Sequence, residues 1–152
     1  MYDKVILPTD GSDLSFLGVE EGLEAAKKFD IPALAVYVIP PGSLTEASAR
    51  YRFDEFGKEM IDFRNEQLEK EGKKVLEEVK KKADEREVSL KTTIEEGEPF
   101  EEITKLAGEK DIIFISSHGR SGISKLLLGS TTSKILNHTH ATIAVVRAKS
   151  ED

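Results

Sequence analysis

The sequence predicts a parallel α/β fold in which helices cover both faces of an open sheet. Short apolar runs alternate along the 152 residues with longer segments whose apolar side chains recur at helical spacing. The second and fourth runs are apolar throughout, which is typical of strands buried on both faces. This alternation favours parallel strands joined by right-handed crossovers.

The N-terminal half predicts two strands and two helices. The strand 4–8 leads into a helix that Ser12 or Asp13 can cap and that continues to about Phe29. A second strand covers residues 33–39. From about residue 58 to residue 86, one apolar stripe in a charged background favours a long surface helix over a partner-binding coiled coil. The stripe consists of Ile61, Leu68, Val75, Leu76, Val79 and Ala83.

Residues 43–57 have no clear pattern and are compatible with a mobile loop or with a short helix over a site. Beyond the long helix, residues 89–94 alternate polar and apolar side chains, as a strand near the sheet edge does. A short helix follows residue 99. The last elements are a strand at 112–115, a short helix at 130–137 and a strand at 142–146.

Composition excludes several classes of function. The absence of Cys removes thiol catalysis, thiolate metal sites and disulfides, and it fits a reducing compartment. No apolar run approaches the ~20 residues that span a bilayer, and the N-terminus lacks a signal-peptide pattern, so we expect a cytoplasmic protein without membrane contact. A net charge of -7 argues against a nucleic-acid binder. Without repeats or linkers, residues 1–152 are expected to form one domain.

The acidic residues are distributed unevenly, because residues 112–150 contain none of the 29 in the chain. This segment holds a glycine- and serine-rich loop at 116–122 and the turn Gly-Ser-Thr-Thr at 129–132. Exposed backbone N–H groups, hydroxyls and local positive charge are what a bound phosphate requires. The turn also begins a predicted helix, whose free N–H groups and dipole favour an anion.

A second candidate site follows the first strand, at the turn Thr9-Asp10-Gly11. If strands one and four are neighbours, both loops face one crevice at the carboxyl edge of the sheet, where open parallel sheets bind ligands. Asp10 is the only carboxylate expected there, and it would suit ribose hydroxyls or a divalent cation. The alternatives are structural: Asp10 forms a turn, Ser130 caps a helix and the glycines tighten a loop.

Sharper catalytic motifs are absent. The sequence has no Gly-x-x-x-x-Gly-Lys-Ser/Thr, no Gly-x-Gly-x-x-Gly after the first strand and no Gly-x-Ser-x-Gly. His138 and His140 lack a third metal ligand nearby in sequence and are interpreted as surface residues. His118 is interpreted as a loop-orienting or phosphate-contacting group rather than a base. No set of nucleophile, base and orienting residue is present, so catalysis is not expected.

The spacing in the C-terminal quarter resembles the hallmark of the universal stress protein family. That hallmark is Gly, two residues, Gly, nine residues, Gly and then Ser or Thr, and the corresponding positions here are Ser116, Gly119, Gly129 and Ser130. The first, second and last strands also resemble those of the family. The resemblance implies a Rossmann-like, adenine nucleotide alpha hydrolase-like sheet of order 3-2-1-4-5. It also implies a homodimer that pairs the last strands, residues 142–146.

The resemblance further implies an adenine-nucleotide site, with ATP, ADP or AMP as the ligand and Mg²⁺ or Mn²⁺ as a companion ion held through the nucleotide and Asp10. Asp10 would meet the ribose and the backbone of Val38 the adenine, while the loop and turn would surround ribose and phosphates. The candidate residues are Pro8, Thr9, Asp10, Val38, Ile115, Ser116, His118, Gly119, Arg120, Gly129, Ser130 and Thr131.

Ser116 departs from the hallmark because it replaces the first glycine. Its Cβ and hydroxyl could narrow the site or add a hydrogen bond. Our leading hypothesis is a nucleotide-binding regulatory or stress-response module with little or no catalysis. The alternatives are a nucleotide-free dimeric interaction protein and a slow ATPase that uses Asp10-bound metal and His118.

Overall fold

A computed structural model describes residues 1–42, 55–117 and 128–149. Five parallel strands form one sheet in the order β3-β2-β1-β4-β5, which confirms the predicted architecture. The strands are β1 (Lys4–Pro8), β2 (Ala33–Ile39), β3 (Leu90–Glu96), β4 (Asp111–Ser116) and β5 (Thr142–Val146). The helices are α1 (Asp13–Phe29), α2 (Glu55–Glu85), α3 (Pro99–Leu106) and α4 (Ser130–His138). None of these helices is both long and apolar enough to cross a membrane.

The helices cover the two faces of the sheet in pairs. Helices α1 and α2 pack on one face through buried residues such as Val19, Leu23 and Val79. Helices α3 and α4 cover the other face, where Ile103 and Ile135 pack against Ile113. Alternate residues of each strand therefore enter different cores, as strand geometry requires.

The chain changes faces at the centre of the sheet. β1 pairs with β2 on one side and with β4 on the other, so Lys4 lies beside Asp111 and Ile6 beside Ile113. The connection after β1 runs through α1, whereas the connection after β4 runs to α4 on the opposite face. The carboxyl ends of β1 and β4 therefore diverge, which confirms that the two predicted loops start from neighbouring strands and opens a crevice between them.

The long helix α2 is only half covered by the sheet. Its 31 residues span roughly 46 Å at 1.5 Å per residue, whereas the seven residues of β2 reach about 23 Å. The predicted stripe is accordingly buried at Val75, Leu76, Val79 and Ala83 but only partly buried at Ile61 and Leu68. The helix begins at residue 55 rather than 58, and residues 43–54 lie outside the described part of the chain.

Ion pairs join the two helices on this face. The Lys82 ammonium lies 2.5 Å from a Glu20 carboxylate oxygen, and Arg86 Nε donates to Glu24 Oε1 at 2.7 Å. The hydrogen bond from Lys82 is the main reason why the pKa of Glu20 lies below its ordinary value; burial opposes it to a lesser extent. Half-exposed pairs of this kind contribute little stability each, so they fix the angle between α1 and α2 more than they hold the fold.

Candidate functional site

A cleft of about 180 Å³ opens at the carboxyl edge of β1, β2 and β4. Seven of the residues predicted from the sequence line it: Pro8, Thr9, Asp10, Val38, Ile115, Ser116 and Thr131. Seven further lining residues were not predicted: Ser12, Leu14, Ser15, Val36, Pro99, Ile103 and Thr132. The structure therefore brings the turn after β1 and the start of α4 to one cavity.

One wall of the cleft is apolar. Val36 and Val38 of β2 and Ile115 of β4 point to the same face of the sheet, and Pro99 and Ile103 of α3 face them. Residues 36 and 38 share this face because strand side chains alternate with a period of two. The wall suits a flat, weakly polar group such as an aromatic heterocycle.

The turn between β1 and α1 is held by its own side chains. Asp10 Oδ1 accepts the Ser12 N–H at 2.9 Å, and the Ser12 hydroxyl caps α1 by accepting the Ser15 N–H at 3.1 Å. The structural interpretation of Asp10 as a turn-forming residue is thus correct, and the predicted Ser12 cap is confirmed. Asp10 nevertheless remains exposed at the mouth of the cleft.

Gly11 makes this turn possible for two reasons. Its φ of 87° lies in the left-handed region that side chains disfavour. In addition, a Cβ at this position would stand only 2.7 Å from Val75 Cγ2 of α2. The turn is therefore packed directly against the long helix.

The hydroxyls of Thr9 and Ser15 take part in the same hydrogen-bonded turn. Gly11 N–H donates to Thr9 Oγ1 at 3.2 Å, and Ser15 Oγ donates to the Ser12 carbonyl at 2.9 Å. The two hydroxyl oxygens lie 2.8 Å apart, and either can donate to the other. With the Asp10 carboxylate, which only accepts, these oxygens form an acceptor turn.

Two opposing influences set the ionisation of Asp10. Desolvation by its surroundings is the largest single influence and would raise the pKa of the carboxyl group. Hydrogen bonds from the Ser12 side chain, the Ser12 backbone and Ser15 together outweigh it and lower the pKa below its ordinary value. Asp10 is therefore a carboxylate at neutral pH, and it is the only one among the described residues that line the cleft.

The start of α4 has the opposite character. Gly129 occupies the N-cap position without any side-chain hydrogen bond, and the first turn contains no acidic residue. The first backbone N–H groups of a helix have no partner inside it, and the helix dipole gives this end a partial positive charge. Thr131 and the buried Thr132 line the cleft, whereas Gly129 and Ser130 precede them at the helix start.

The hydroxyl of Ser116 is hydrogen-bonded to α1 at the edge of the cleft. Its Oγ accepts the Gly18 N–H at 2.9 Å, which ties the carboxyl end of β4 to α1. The added hydrogen bond considered from the sequence is therefore formed. The remaining predicted residues, His118, Gly119 and Arg120, lie outside the described residues.

No cluster of three or more His, Asp or Glu residues within residues 1–42, 55–117 and 128–149 could hold a metal ion. His138 and His140 are exposed, as predicted; His138 packs on the Phe100 ring, with the ring centroids 5.1 Å apart. A cation at the cleft would therefore take one protein carboxylate, Asp10, and complete its shell with ligand oxygens and water, an arrangement that suits Mg²⁺.

The lining residues that the sequence did not predict were missed for a simple reason. Apolar wall residues such as Val36 and Ile103 have the same sequence signature as core residues. The period of two from Val38 would have identified Val36, and the position of Ser15, three residues after the cap, would have identified a first-turn contact.

The cleft defines the class of protein to which the chain belongs. It is a parallel α/β protein with a cleft at the point where the strand order reverses; an acceptor turn lies on one side of the cleft, and on the other a helix starts at Gly129 without a side-chain cap. The profile of the universal stress protein family matches residues 1–147, and the chain belongs to this family.

Two related sequences match this chain over nearly its whole length. The chain is 33% identical over 149 residues to universal stress protein MJ0531 of Methanocaldococcus jannaschii, covering 97% of this chain and 83% of that protein. It is 32% identical over 152 residues to universal stress protein YxiE of Bacillus subtilis, covering 97% of this chain and all of that protein.

Solved structures share the fold. MJ0577 of M. jannaschii superposes with a TM-score of 0.73 at 29% identity, covering 99% of both chains. A universal stress protein in complex with cAMP gives a TM-score of 0.65 at 20% identity, covering 96% of this chain and 97% of that one. A universal stress protein from Archaeoglobus fulgidus in complex with dAMP gives 0.62 at 15% identity, covering 95% and 98%.

Proposed function

We propose that this protein binds an adenine nucleotide, ATP in the first instance, and acts as a regulatory module of the stress response with little or no catalysis. The observation that carries the proposal is the polarity of the cleft. An acceptor turn around Asp10 and a donor-rich helix start at Thr131 flank one apolar wall. An adenine nucleotide carries one group complementary to each of these features: a flat base, ribose hydroxyls that donate, and phosphates that only accept.

In this arrangement adenine lies against Val36, Val38 and Ile115, and the ribose hydroxyls donate to the Asp10 carboxylate. The phosphates accept from the first N–H groups of α4. Several donors are needed, because a charge at a helix end gains only about 0.3–1 kcal/mol when exposed and ~2 kcal/mol when partly buried. The hallmark residues Gly119 and Arg120, together with His118, are proposed to supply further contacts, and the companion cation binds between the phosphates and Asp10.

The relatives support this class of ligand. Proteins of the same fold have been solved with cAMP and with dAMP, both of them adenine nucleotides. The absence of acidic residues from the first turn of α4 supports a phosphate in particular, because a carboxylate there would compete for the same N–H groups.

Purified protein tests the proposal directly. Denaturation followed by chromatography of the released small molecules should yield adenine nucleotide, or added ATP with Mg²⁺ should raise the melting temperature in proportion to the logarithm of its concentration. Absence of bound nucleotide together with an unchanged melting temperature at millimolar ATP would refute it. A slow ATPase is distinguished by ADP formation that exceeds that of a Gly129→Glu variant.

We further propose that residues 1–152 form one cytoplasmic domain and that it dimerises through β5. That strand pairs only with β4 among the described strands, and its residues 143–146 remain partly exposed. An apolar strand edge of this kind favours pairing with a second copy. Light scattering at micromolar concentration should give twice the 16.9 kDa of the chain, and a monomeric mass would exclude this interface.

A further inference from the structure

Ser116 and Gly18 make a contact across 98 residues of sequence at the edge of the cleft. Ser116 ends β4 and lines the cleft, and its Oγ accepts the Gly18 N–H at 2.9 Å. An N–H inside a helix normally serves the carbonyl four residues earlier. The amide of Gly18 also reaches the side chain of a strand residue, so this contact adds a link that the helix itself does not supply.

Gly18 permits this contact because it has no side chain. A Cβ at residue 18 would stand 3.0 Å from Ser116 Oγ and 3.2 Å from Ser116 N, closer than ordinary packing allows. A glycine inside a helix costs about 1 kcal/mol relative to alanine, so its position needs a packing reason. The close approach of α1 to the end of β4 is that reason.

The side chain of residue 116 points to the α1 face of the sheet. Ile115 and Ser116 point to opposite faces of β4, Ile115 to the α3 and α4 side and Ser116 to the α1 side. The cleft reaches the α1 side too, because Ser12, Leu14 and Ser15 line it. The bond to Gly18 therefore joins the last residue of β4 to α1 beside the cleft.

We propose that Ser116 is a positioning residue whose bond to Gly18 holds the carboxyl end of β4 against α1 and so fixes this edge of the nucleotide cleft. This inference rests on the proposed nucleotide site and adds how that site tolerates a serine in place of the first hallmark glycine. The proposal treats residues 18 and 116 as one unit. With Gly18 in α1, the cleft is expected to bind nucleotide with either serine or glycine at position 116.

A double-mutant cycle on ATP affinity tests whether residues 18 and 116 act together. Gly18→Ala in the natural background pushes the hydroxyl from α1 and should weaken ATP binding at least about tenfold. In the Ser116→Gly background the same substitution still meets the backbone of β4 but no hydroxyl, and its effect should fall to roughly threefold or less. Equal effects of Gly18→Ala in both backgrounds would overturn the proposal, because they would mean that residue 18 acts without residue 116.

Affinities are measured by calorimetry at a temperature where every variant is folded, so that lost stability does not count as lost binding. Ser89→Ala provides the matched control for Ser116→Ala, since Ser89 is exposed and precedes β3 at the opposite edge of the strands. We expect Ser89→Ala to bind ATP as the natural chain does, and Ser116→Ala to bind it roughly threefold to tenfold more weakly.

Amide hydrogen exchange in nucleotide-free protein gives a second readout that does not depend on the proposed function. The Gly18 amide should exchange roughly threefold to tenfold faster in Ser116→Ala than in the natural chain, because it loses the side-chain acceptor that joins it to β4. Unchanged exchange would overturn the inference even if ATP binds. If the natural chain fails to bind ATP, the proposed function fails, and the exchange result alone decides whether the bond between residues 18 and 116 positions β4.

Discussion

Two helix starts face the same cleft, and they are built in opposite ways. At the start of α1, Ser12 caps the helix, Asp10 accepts a turn amide and Asp13 adds a negative charge to the first turn. At the start of α4, Gly129 provides no side-chain cap and the first turn has no acidic residue. The first helix start supplies a side-chain acceptor for its own Ser15 N–H, whereas no side chain among the described residues is seen to cap the second.

Helix α3 shows that the difference is not general to this sheet. It also lacks a side-chain cap, but Pro99 occupies its first turn and has no N–H to satisfy, and Glu101 and Glu102 complement the dipole. Among the helices whose N-terminal caps are described, α4 alone combines a missing cap with a missing acidic residue. A helix end that is incomplete by itself is the more informative sign of a ligand.

The largest effect should come from placing a charge at the incomplete helix start. Gly129→Glu puts a carboxylate beside the proposed phosphates, and like charges at close range cost enough to weaken ATP binding at least about a hundredfold. The same carboxylate complements the dipole of α4, so the nucleotide-free variant should melt no lower than the natural chain. Thermal shift with and without ATP measures both effects.

Ser89→Glu carries the same charge change away from the cleft and should retain the full ATP shift. If Gly129→Glu also retained it, the phosphates would not lie at α4, and the contrast between the two helix starts would have no functional meaning.

A substitution in the acceptor turn should instead lower the free energy of unfolding. Gly11→Ala forces a side chain into left-handed backbone and against Val75, and these two effects together should lower the free energy of unfolding by about 2–4 kcal/mol. Gly108→Ala is the matched control, because its Cβ would stand 3.5 Å from Asp111, an ordinary contact. Urea denaturation of both variants checks the result; equal stabilities would show that the turn can relax away from α2.

A smaller effect on stability should distinguish Ser12, at the start of α1, from Ser130, at the start of α4. Ser12→Ala removes the cap of α1 and should cost about 1 kcal/mol of unfolding free energy. Ser130 follows the N-cap position of α4 and provides no cap, so Ser130→Ala should leave the stability of the nucleotide-free protein within about 0.3 kcal/mol. A comparable loss in Ser130→Ala would mean that α4 is capped after all.

The smallest effect concerns pH. The folded protein lowers the pKa of Asp10, so the stability from its hydrogen bonds is complete above the unfolded pKa near 4 and is lost as pH falls through the lower folded value. Asp10→Asn keeps an acceptor for the Ser12 N–H but does not titrate. The melting temperature of the natural chain relative to this variant should therefore fall between pH 5 and pH 3; a constant difference would show that Asp10 ionisation does not stabilise the turn.

The sequence was sufficient where local chemistry decides the outcome. The extents of β1, α1, β2 and β5 follow from apolar runs and from the breaks at Gly11 and Pro40, and all four were predicted correctly. β3 was placed at residues 89–94 but spans Leu90–Glu96, because its last residues Glu95 and Glu96 carry no strand signature and are held by pairing with Val38 and Ile39.

The residues of the candidate site can also be separated into those that the sequence identified and those that it did not. Polar and glycine residues such as Asp10 and Thr131 were identifiable because their chemistry is rare in a core. The wall formed by Val36, Pro99 and Ile103 was not, since only the tertiary arrangement separates a ligand-facing apolar residue from a buried one. The bond between Ser116 and Gly18 was equally invisible, because nothing local links residues so distant in sequence.

The pairing of Lys4 with Asp111 has a consequence for how the protein is made. The middle of the sheet joins residues more than a hundred positions apart, so the nascent chain can pair β1 with β2 well before β4, the other neighbour of β1, emerges from the ribosome. Until then, the edge of β1 that pairs with β4 has no neighbouring strand. The acceptor turn lacks the helix start of α4 opposite it, and the apolar wall lacks Ile115. The proposed nucleotide would therefore stabilise only a chain that has completed β4 and α4, and an incomplete chain would gain nothing from it.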